Sequence, residues 1–224
     1  MIKIGIDVGS TTAKLVAVDE NDNLLFSKYE RHNAKAKETI LSFLKELLSE
    51  IGDKDISVRI TGSIGMGISE KCSLPFVQEV VAAAKAIQKD YSHVTSMIDI
   101  GGEDAKVVFF KDAEATDLRM NGNCAGGTGA FIDQMAIILG VNIDELNQLA
   151  MNATQVYPIA SRCGVFCKTD IQNLIAKNVS RENIAASIFR AVAVQTVVTL
   201  AHGCDITTPV LFCGGPLTFI PALR

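Results

Sequence analysis

Two stretches of this 224-residue chain carry one pattern twice. Ile6–Val18 reads IDVGSTTAKLVAV and Ile98–Phe110 reads IDIGGEDAKVVFF, with six of the thirteen aligned positions identical. The shared pairs are Ile6/Ile98, Asp7/Asp99, Gly9/Gly101, Ala13/Ala105, Lys14/Lys106 and Val16/Val108. In each copy, apolar residues alternate on both sides of a short turn, which is the period of a strand with one buried face. The repeat predicts two related α/β halves, each opening with a strand–turn–strand unit. A chance match would not require the alternation on both sides of both turns.

The segments between follow from their spacing. Ile2–Val8 and Ala13–Asp19 are predicted strands joined by the turn Gly9–Thr12, and Leu24–Tyr29 is a third after the turn Asn21–Asn23. Ala36–Ile51 puts Ile40, Phe43, Leu44, Leu47, Leu48 and Ile51 on one helical face. Ile56–Thr61 reads as a strand that runs into Gly62–Gly67, a flexible glycine-rich connection. Val77–Gln88 reads as a helix with Pro75 at its mouth. Thr95–Ile100 opens the second half, so the expected domains are residues 1–93 and 94–224. Helices are expected at Thr128–Leu139, Ile143–Met151, Val165–Asn178 and Arg181–His202, then a strand at Val210–Phe212 and the turn Cys213–Pro216. A helix should follow that turn, yet the chain stops soon after it. A truncated chain, or the N-terminal part of a longer polypeptide, would read this way.

Charge and hydropathy narrow the function classes. The formal charge is −4 with no basic run, so there is no electrostatic footprint for nucleic acid. No run of consecutive apolar residues reaches the roughly 18–20 that a membrane span needs. The N-terminus reads as a strand rather than a signal peptide, so no membrane is expected and the expected setting is the cytoplasm. There, six cysteines are core residues, redox thiols or metal ligands rather than a disulfide framework.

The two turns carry the phosphate chemistry. Gly9, Ser10, Thr11 and Thr12 offer backbone N–H groups and three hydroxyls, and Gly9 lets the backbone approach an anion closely. Asp7, at the strand end, repels phosphate but can hold Mg²⁺ directly or through water, with Lys14 completing the candidate set. Asp99 heads the second turn, with Gly101, Gly102 and Asp104, and is the candidate for orienting the attacking water or the Mg²⁺ shell. Two such turns facing each other would grip a polyphosphate and its metal. Neither is a Walker A loop, because no GxxxxGK[ST] occurs. Gly126, Gly127, Gly214 and Gly215 are the remaining candidate nucleotide contacts, at places where bare backbone can pass close to a ligand.

Cys124 in NGNCAGGTGAF and Cys163 in SRCGVFCK each stand just before a predicted helix. The positive end of a helix stabilises a thiolate and an anionic cluster held by thiolates. Two cysteines are too few for a four-thiolate cluster, but two chains related by a two-fold axis would supply four. Two buried structural thiols are the other reading of this spacing. Cys167, one turn beyond Cys163, reads as a packed thiol with a ligand role left open. Cys72, Cys204 and Cys213 read as structural, and none of His32, His93 and His202 falls near a ligand pattern.

IGIDVGSTTAK, DIGGEDAK and VLFCGGP resemble the phosphate and adenosine motifs of the acetate and sugar kinase, heat-shock chaperone and actin superfamily. NGNCAGGTGAF with SRCGVFCKTD resembles a narrower branch. That branch is the ATP-dependent activators (archerases) of 2-hydroxyacyl-CoA dehydratases, with the ATPase subunits of benzoyl-CoA reductases. The resemblance covers essentially the whole chain. It implies two ribonuclease-H-like (actin-like ATPase) domains with a nucleotide cleft between them, binding ATP or ADP with Mg²⁺. It also implies a homodimer with one bridging 4Fe-4S cluster, held by the residues here numbered Cys124 and Cys163. The implied partners are an acyl-CoA dehydratase or reductase component and an electron donor such as ferredoxin or flavodoxin. For one electron, 59 mV corresponds to about 1.4 kcal/mol, so a transfer several hundred millivolts uphill needs several kcal/mol of conformational work. Three positions depart from the family pattern: Glu103 stands where glutamine is usual, Ala83 where histidine is usual, and Cys167 is additional.

Two other function classes share these motifs. A small-molecule kinase of the superfamily would need a substrate-binding insertion with a catalytic aspartate, and no long insertion is present. A non-catalytic nucleotide sensor would have no use for Asp7 and Asp99.

Overall fold

The computed structural model describes residues 1–112, 114–121, 126–160 and 164–224. They divide into two compact units, Met1–Lys89 and Asp90–Arg224.

The first unit runs β1 (Ile2–Val8), β2 (Thr12–Val18), β3 (Leu24–Arg31), α1 (Ala36–Ile51), β4 (Ile56–Thr61), α2 (Gly65–Cys72) and α3 (Glu79–Asp90). Its sheet has the order β3-β2-β1-β4, with β1–β2 and β2–β3 antiparallel and β1–β4 parallel. A parallel pair needs a crossover, and α1 supplies it. Ile2, Ile4, Ile6 and Val8 of β1 and Ala13, Leu15 and Ala17 of β2 are buried in one core with Ile40, Phe43 and Leu47 of α1. Asp22, in the β2–β3 turn, accepts from Lys89 at 2.5 Å and Lys3 at 2.9 Å. Those two bonds, Lys89 first, hold its carboxyl down at about 2.

The second unit repeats the topology. It runs β5 (Ser96–Ile100), β6 (Ala105–Lys111), β7 (Glu114–Asn121), α4 (Gly129–Leu139), α5 (Ile143–Met151), α6 (Gly164–Ala176), α7 (Arg181–Ala201), β8 (Val210–Cys213) and α8 (Gly215–Phe219). Its order is β7-β6-β5-β8, again three antiparallel strands and a parallel fourth. Ile98, Ile100 and Val107 of the sheet pack with Phe131, Ile132 and Met135 of α4 and Ile188, Phe189 and Val192 of α7. By length and composition α7 could cross a membrane, but most of its apolar stretch is buried inside this unit. Its apolar character is that of a core helix.

Several expectations change. The glycine-rich stretch after β4 is not a flexible connection, because α2 begins within it at Gly65. Ile64 N–H donates to the Val8 carbonyl at 2.9 Å, and a Cβ on Gly65 would lie 2.9 Å from Ile60 Cγ2. These glycines permit close packing. Pro75 lies outside α3: its carbonyl accepts from Ile60 N–H at 3.0 Å, and Val77 N–H donates to Ile60 at 2.8 Å. Residues 75–77 therefore run beside β4, and the helix starts two residues later than expected, at Glu79. β7 was not anticipated. It is an edge strand with most residues exposed, so its apolar signal is weak. Its Arg119 donates to the carbonyls of Ala201 at 2.5 Å and His202 at 3.0 Å, capping the C-terminus of α7.

Candidate functional site

In the first unit the strand register assembles the site. Asp7 stands opposite Lys14 on β2 and Thr61 on β4. Lys14 Nζ lies 2.7 Å from Asp7 Oδ2 and 5.5 Å from the Tyr29 ring centroid. The other oxygen, Asp7 Oδ1, is buried with no hydrogen-bond partner among the described residues, as is Thr61 Oγ1. Gly9 N–H donates to the Thr12 carbonyl at 3.0 Å and closes the turn, leaving Ser10, Thr11 and Thr12 half-buried at its tip. Gly62, directly after Thr61, has φ +94°, and a Cβ there would lie 2.4 Å from the Val8 carbonyl oxygen and 2.6 Å from Asp7 Oδ1.

The second unit has the same frame with different chemistry. Asp99 stands opposite Lys106 on β6 and Cys213 on β8. Gly101 N–H donates to the Asp104 carbonyl at 2.8 Å, as Gly9 does to Thr12. The buried Lys106 pairs with the Asp104 carboxylate at 2.8 Å, so here the lysine's ion pair is with the turn. The first N–H groups of α4 dock on this turn, Gly129 to the Gly101 carbonyl at 2.9 Å and Ala130 to that of Gly102 at 2.7 Å. Gly214 has φ +86°, and a Cβ there would lie 2.0 Å from the Ile100 carbonyl oxygen and 2.5 Å from Asp99 Oδ1. Gly215 opens α8. Gly126 and Gly127 pack on α7: a Cβ on Gly126 would lie 2.7 Å from Gln195 Nε2, and one on Gly127 3.6 Å from Thr196 Oγ1.

Burial, and then the charge of Asp99, push the Cys213 thiol up to about 11. At pH 8 only about one molecule in a thousand would carry the thiolate that reacts with electrophiles. Iodoacetamide at pH 8 is expected to label the exposed Cys72 readily and Cys213 hardly at all, read by peptide mass spectrometry. Comparable labelling of both would show that Cys213 is not held protonated.

Cys124 and Cys163 lie outside the described residues. Helix α6 begins at Gly164, the residue after Cys163, and α4 begins five residues after Cys124. Cys167 is fully buried and its thiol meets the Ala160 carbonyl. The Cys204 sulfur accepts from Arg119 Nη2 at 2.9 Å. Among the described residues no group of three or more His, Cys, Asp or Glu side chains could hold a metal ion.

Sequence reasoning missed three residues of the first site: Thr61, Gly62 and His32. His32 is buried, and its Nε2 lies 3.0 Å from the Gly9 carbonyl oxygen. Only the strand pairing brings these residues to Asp7 and its turn.

The fold built from these two four-stranded sheets is that of the actin-like ATPase activators. The family model of the BadF/BadG/BcrA/BcrD ATPases matches residues 4–219, and the chain belongs to that family. It is 29% identical over 214 residues to the (R)-2-hydroxyglutaryl-CoA dehydratase activating ATPase of Acidaminococcus fermentans, covering 95% of this chain and 82% of the relative. The crystal structure of component A of that organism's (R)-2-hydroxyglutaryl-CoA dehydratase matches with a TM-score of 0.90 at 27% identity, over 100% of this chain and 86% of the other. The activator of the 2-hydroxyisocaproyl-CoA dehydratase from Clostridium difficile, solved with bound ADPNP, matches with a TM-score of 0.87 at 28% identity, over 100% and 83%.

Proposed function

We propose that this chain binds and hydrolyses ATP and so activates an acyl-CoA dehydratase or reductase partner by one-electron transfer. The observation that carries the reading is the doubled strand end, Asp7 with Gly62 and Asp99 with Gly214. A carboxylate flanked by backbone with no room for a Cβ suits a phosphate and its metal. The similarity to an activator solved with ADPNP supports the same ligand class.

In the first unit, the tip of the turn, from Ser10 on, presents N–H groups and hydroxyls to phosphate, and Lys14 offsets the charge. The buried, unpartnered Asp7 Oδ1 fits Mg²⁺, whose other ligands are water and phosphate oxygens. In the second unit, Asp99 orients the attacking water, while Gly101, Gly102 and Asp104 shape the turn beside it. Gly214 and Gly215 let the nucleotide approach bare backbone. Cys124 and Cys163 from each of two chains would hold a 4Fe-4S cluster, as the sequence motifs around them suggest. When bound, the cluster supplies a low-potential one-electron carrier, reduced by a donor of the ferredoxin or flavodoxin type.

The test is anaerobic iron and sulfide analysis with EPR of the reduced protein, beside Cys124→Ala and Cys163→Ala. About two iron atoms per chain, lost in either variant, is the expected result for one cluster shared by two chains. No iron after anaerobic reconstitution, with ATPase activity intact in both variants, would overturn the electron-transfer reading.

A further inference from the structure

We infer that His32 is a positioning residue for the phosphate turn, setting the direction in which the turn presents its N–H groups. The inference rests on the reading of Gly9–Thr12 as a nucleotide-binding turn and assigns it a buried partner. His32 follows the last residue of β3 and is 4% exposed. It grips the turn twice. Its backbone N–H donates to the Thr11 carbonyl at 3.2 Å, one step beyond the Thr12–Arg31 pair that ends the β2–β3 ladder. Its ring Nε2 lies 3.0 Å from the Gly9 carbonyl oxygen. A carbonyl oxygen only accepts, so Nε2 carries the proton and the ring is the donor. His32 Nδ1, the other ring nitrogen, is buried with no hydrogen-bond partner among the described residues.

The consequence for the turn follows from peptide geometry. The Gly9–Ser10 bond is trans, the only cis bond being Thr208–Pro209 among the described residues. In a trans peptide the C=O and the following N–H point in opposite directions. Drawing the Gly9 oxygen inward onto the buried ring therefore turns the Ser10 N–H outward. Without the ring, the Gly9 carbonyl loses its acceptor role, and the Gly9–Ser10 peptide is free to rotate about the glycine. An oxygen could then face the phosphate where an N–H is needed. Glycine at this position makes that rotation cheap, which is why an anchor from outside the turn matters.

The experiment is calorimetric titration of ADPNP with Mg²⁺ into the wild-type chain, His32→Leu and His32→Gln, with thermal midpoints as the control for folding. Gln carries an amide N–H at about the reach of Nε2, whereas Leu fills the space without a donor. His32→Leu is expected to bind about tenfold more weakly, and His32→Gln to recover to within about threefold of wild type. A purely structural role would lower both midpoints and leave the affinity of the folded protein unchanged. Equal affinity in His32→Leu and wild type, or no recovery in His32→Gln, would overturn the inference. Absence of ADPNP binding by the wild-type chain would instead remove the nucleotide reading itself, and this inference with it.

Discussion

Alanine at Gly214 or Gly62 is expected to cost about 2–5 kcal/mol of stability, while alanine at Gly67, five residues beyond Gly62, is expected to cost nothing. The sum has two parts. Gly214 sits at φ 86°, ψ 157°, a region open almost only to glycine. Forcing a Cβ into a positive-φ conformation costs about 1–2 kcal/mol. The new carbon would also press on backbone, 2.0 Å from the Ile100 oxygen at Gly214 and 2.4 Å from the Val8 oxygen at Gly62. Backbone cannot swing aside as a long side chain can, and overpacking of this kind adds about 1–3 kcal/mol. Gly67 lies inside α2 with nothing within 4 Å of its would-be Cβ, so alanine there gains up to about 1 kcal/mol of helix propensity. Urea denaturation of the three variants reads these values directly. ADPNP affinity should fall with Gly62→Ala and Gly214→Ala, since the displaced groups are Asp7 and Asp99. A Gly62→Ala midpoint equal to that of Gly67→Ala would show that the strand end has slack and that the glycine is incidental.

That contrast marks where the sequence was legible. The two hairpins could be read because each alternates apolar residues around a turn whose glycine and aspartate recur. Helices α1 and α5 were read to the residue, Ala36–Ile51 and Ile143–Met151. For α5, Asn142 and Glu145 form a capping box that punctuates its start. What could not be read depends on long-range pairing. Gly62 and Gly214 play one role, but the first is 55 residues from Asp7 and the second 115 from Asp99. Nothing local distinguishes Gly62 from Gly65 or Gly67. His32 looks like any histidine after a polar strand until β3 pairs with β2 and carries it to Gly9. An edge strand such as β7 carries so few buried residues that polarity hides it.

The paired substitutions Asp7→Asn and Asp99→Asn separate the two proposed roles of the repeated aspartate. Asparagine keeps the shape of each side chain and removes its charge, so the fold should survive both changes. For Asp7→Asn the loss of the Lys14 ion pair costs about 1 kcal/mol or less, because both side chains are roughly a third exposed or somewhat less (34% and 27%) and water screens them. The catalytic effects should differ in kind. If Asp7 Oδ1 is a ligand of Mg²⁺ or of its water shell, a neutral amide oxygen binds the cation more weakly. The Mg²⁺ concentration for half-maximal ATPase activity should then rise by about ten- to a hundredfold, with much of the rate recovered at saturation. If Asp99 orients and polarises the attacking water, no amount of Mg²⁺ restores that function. Its kcat should fall by about 10²–10⁴, or roughly 3–5 kcal/mol of transition-state stabilisation, with the Mg²⁺ response little changed. Steady-state ATPase assays across a Mg²⁺ series distinguish these outcomes. The register predicts the division: Asp7 is held by a lysine at one oxygen, and its other oxygen is buried with no hydrogen-bond partner among the described residues, which suits a cation ligand. Asp99 instead stands between Lys106 on β6 and the Cys213 thiol on β8, which is kept protonated. More than half the wild-type rate in both variants at ordinary Mg²⁺ would mean that neither aspartate takes part in hydrolysis and that the doubled strand end serves the fold alone.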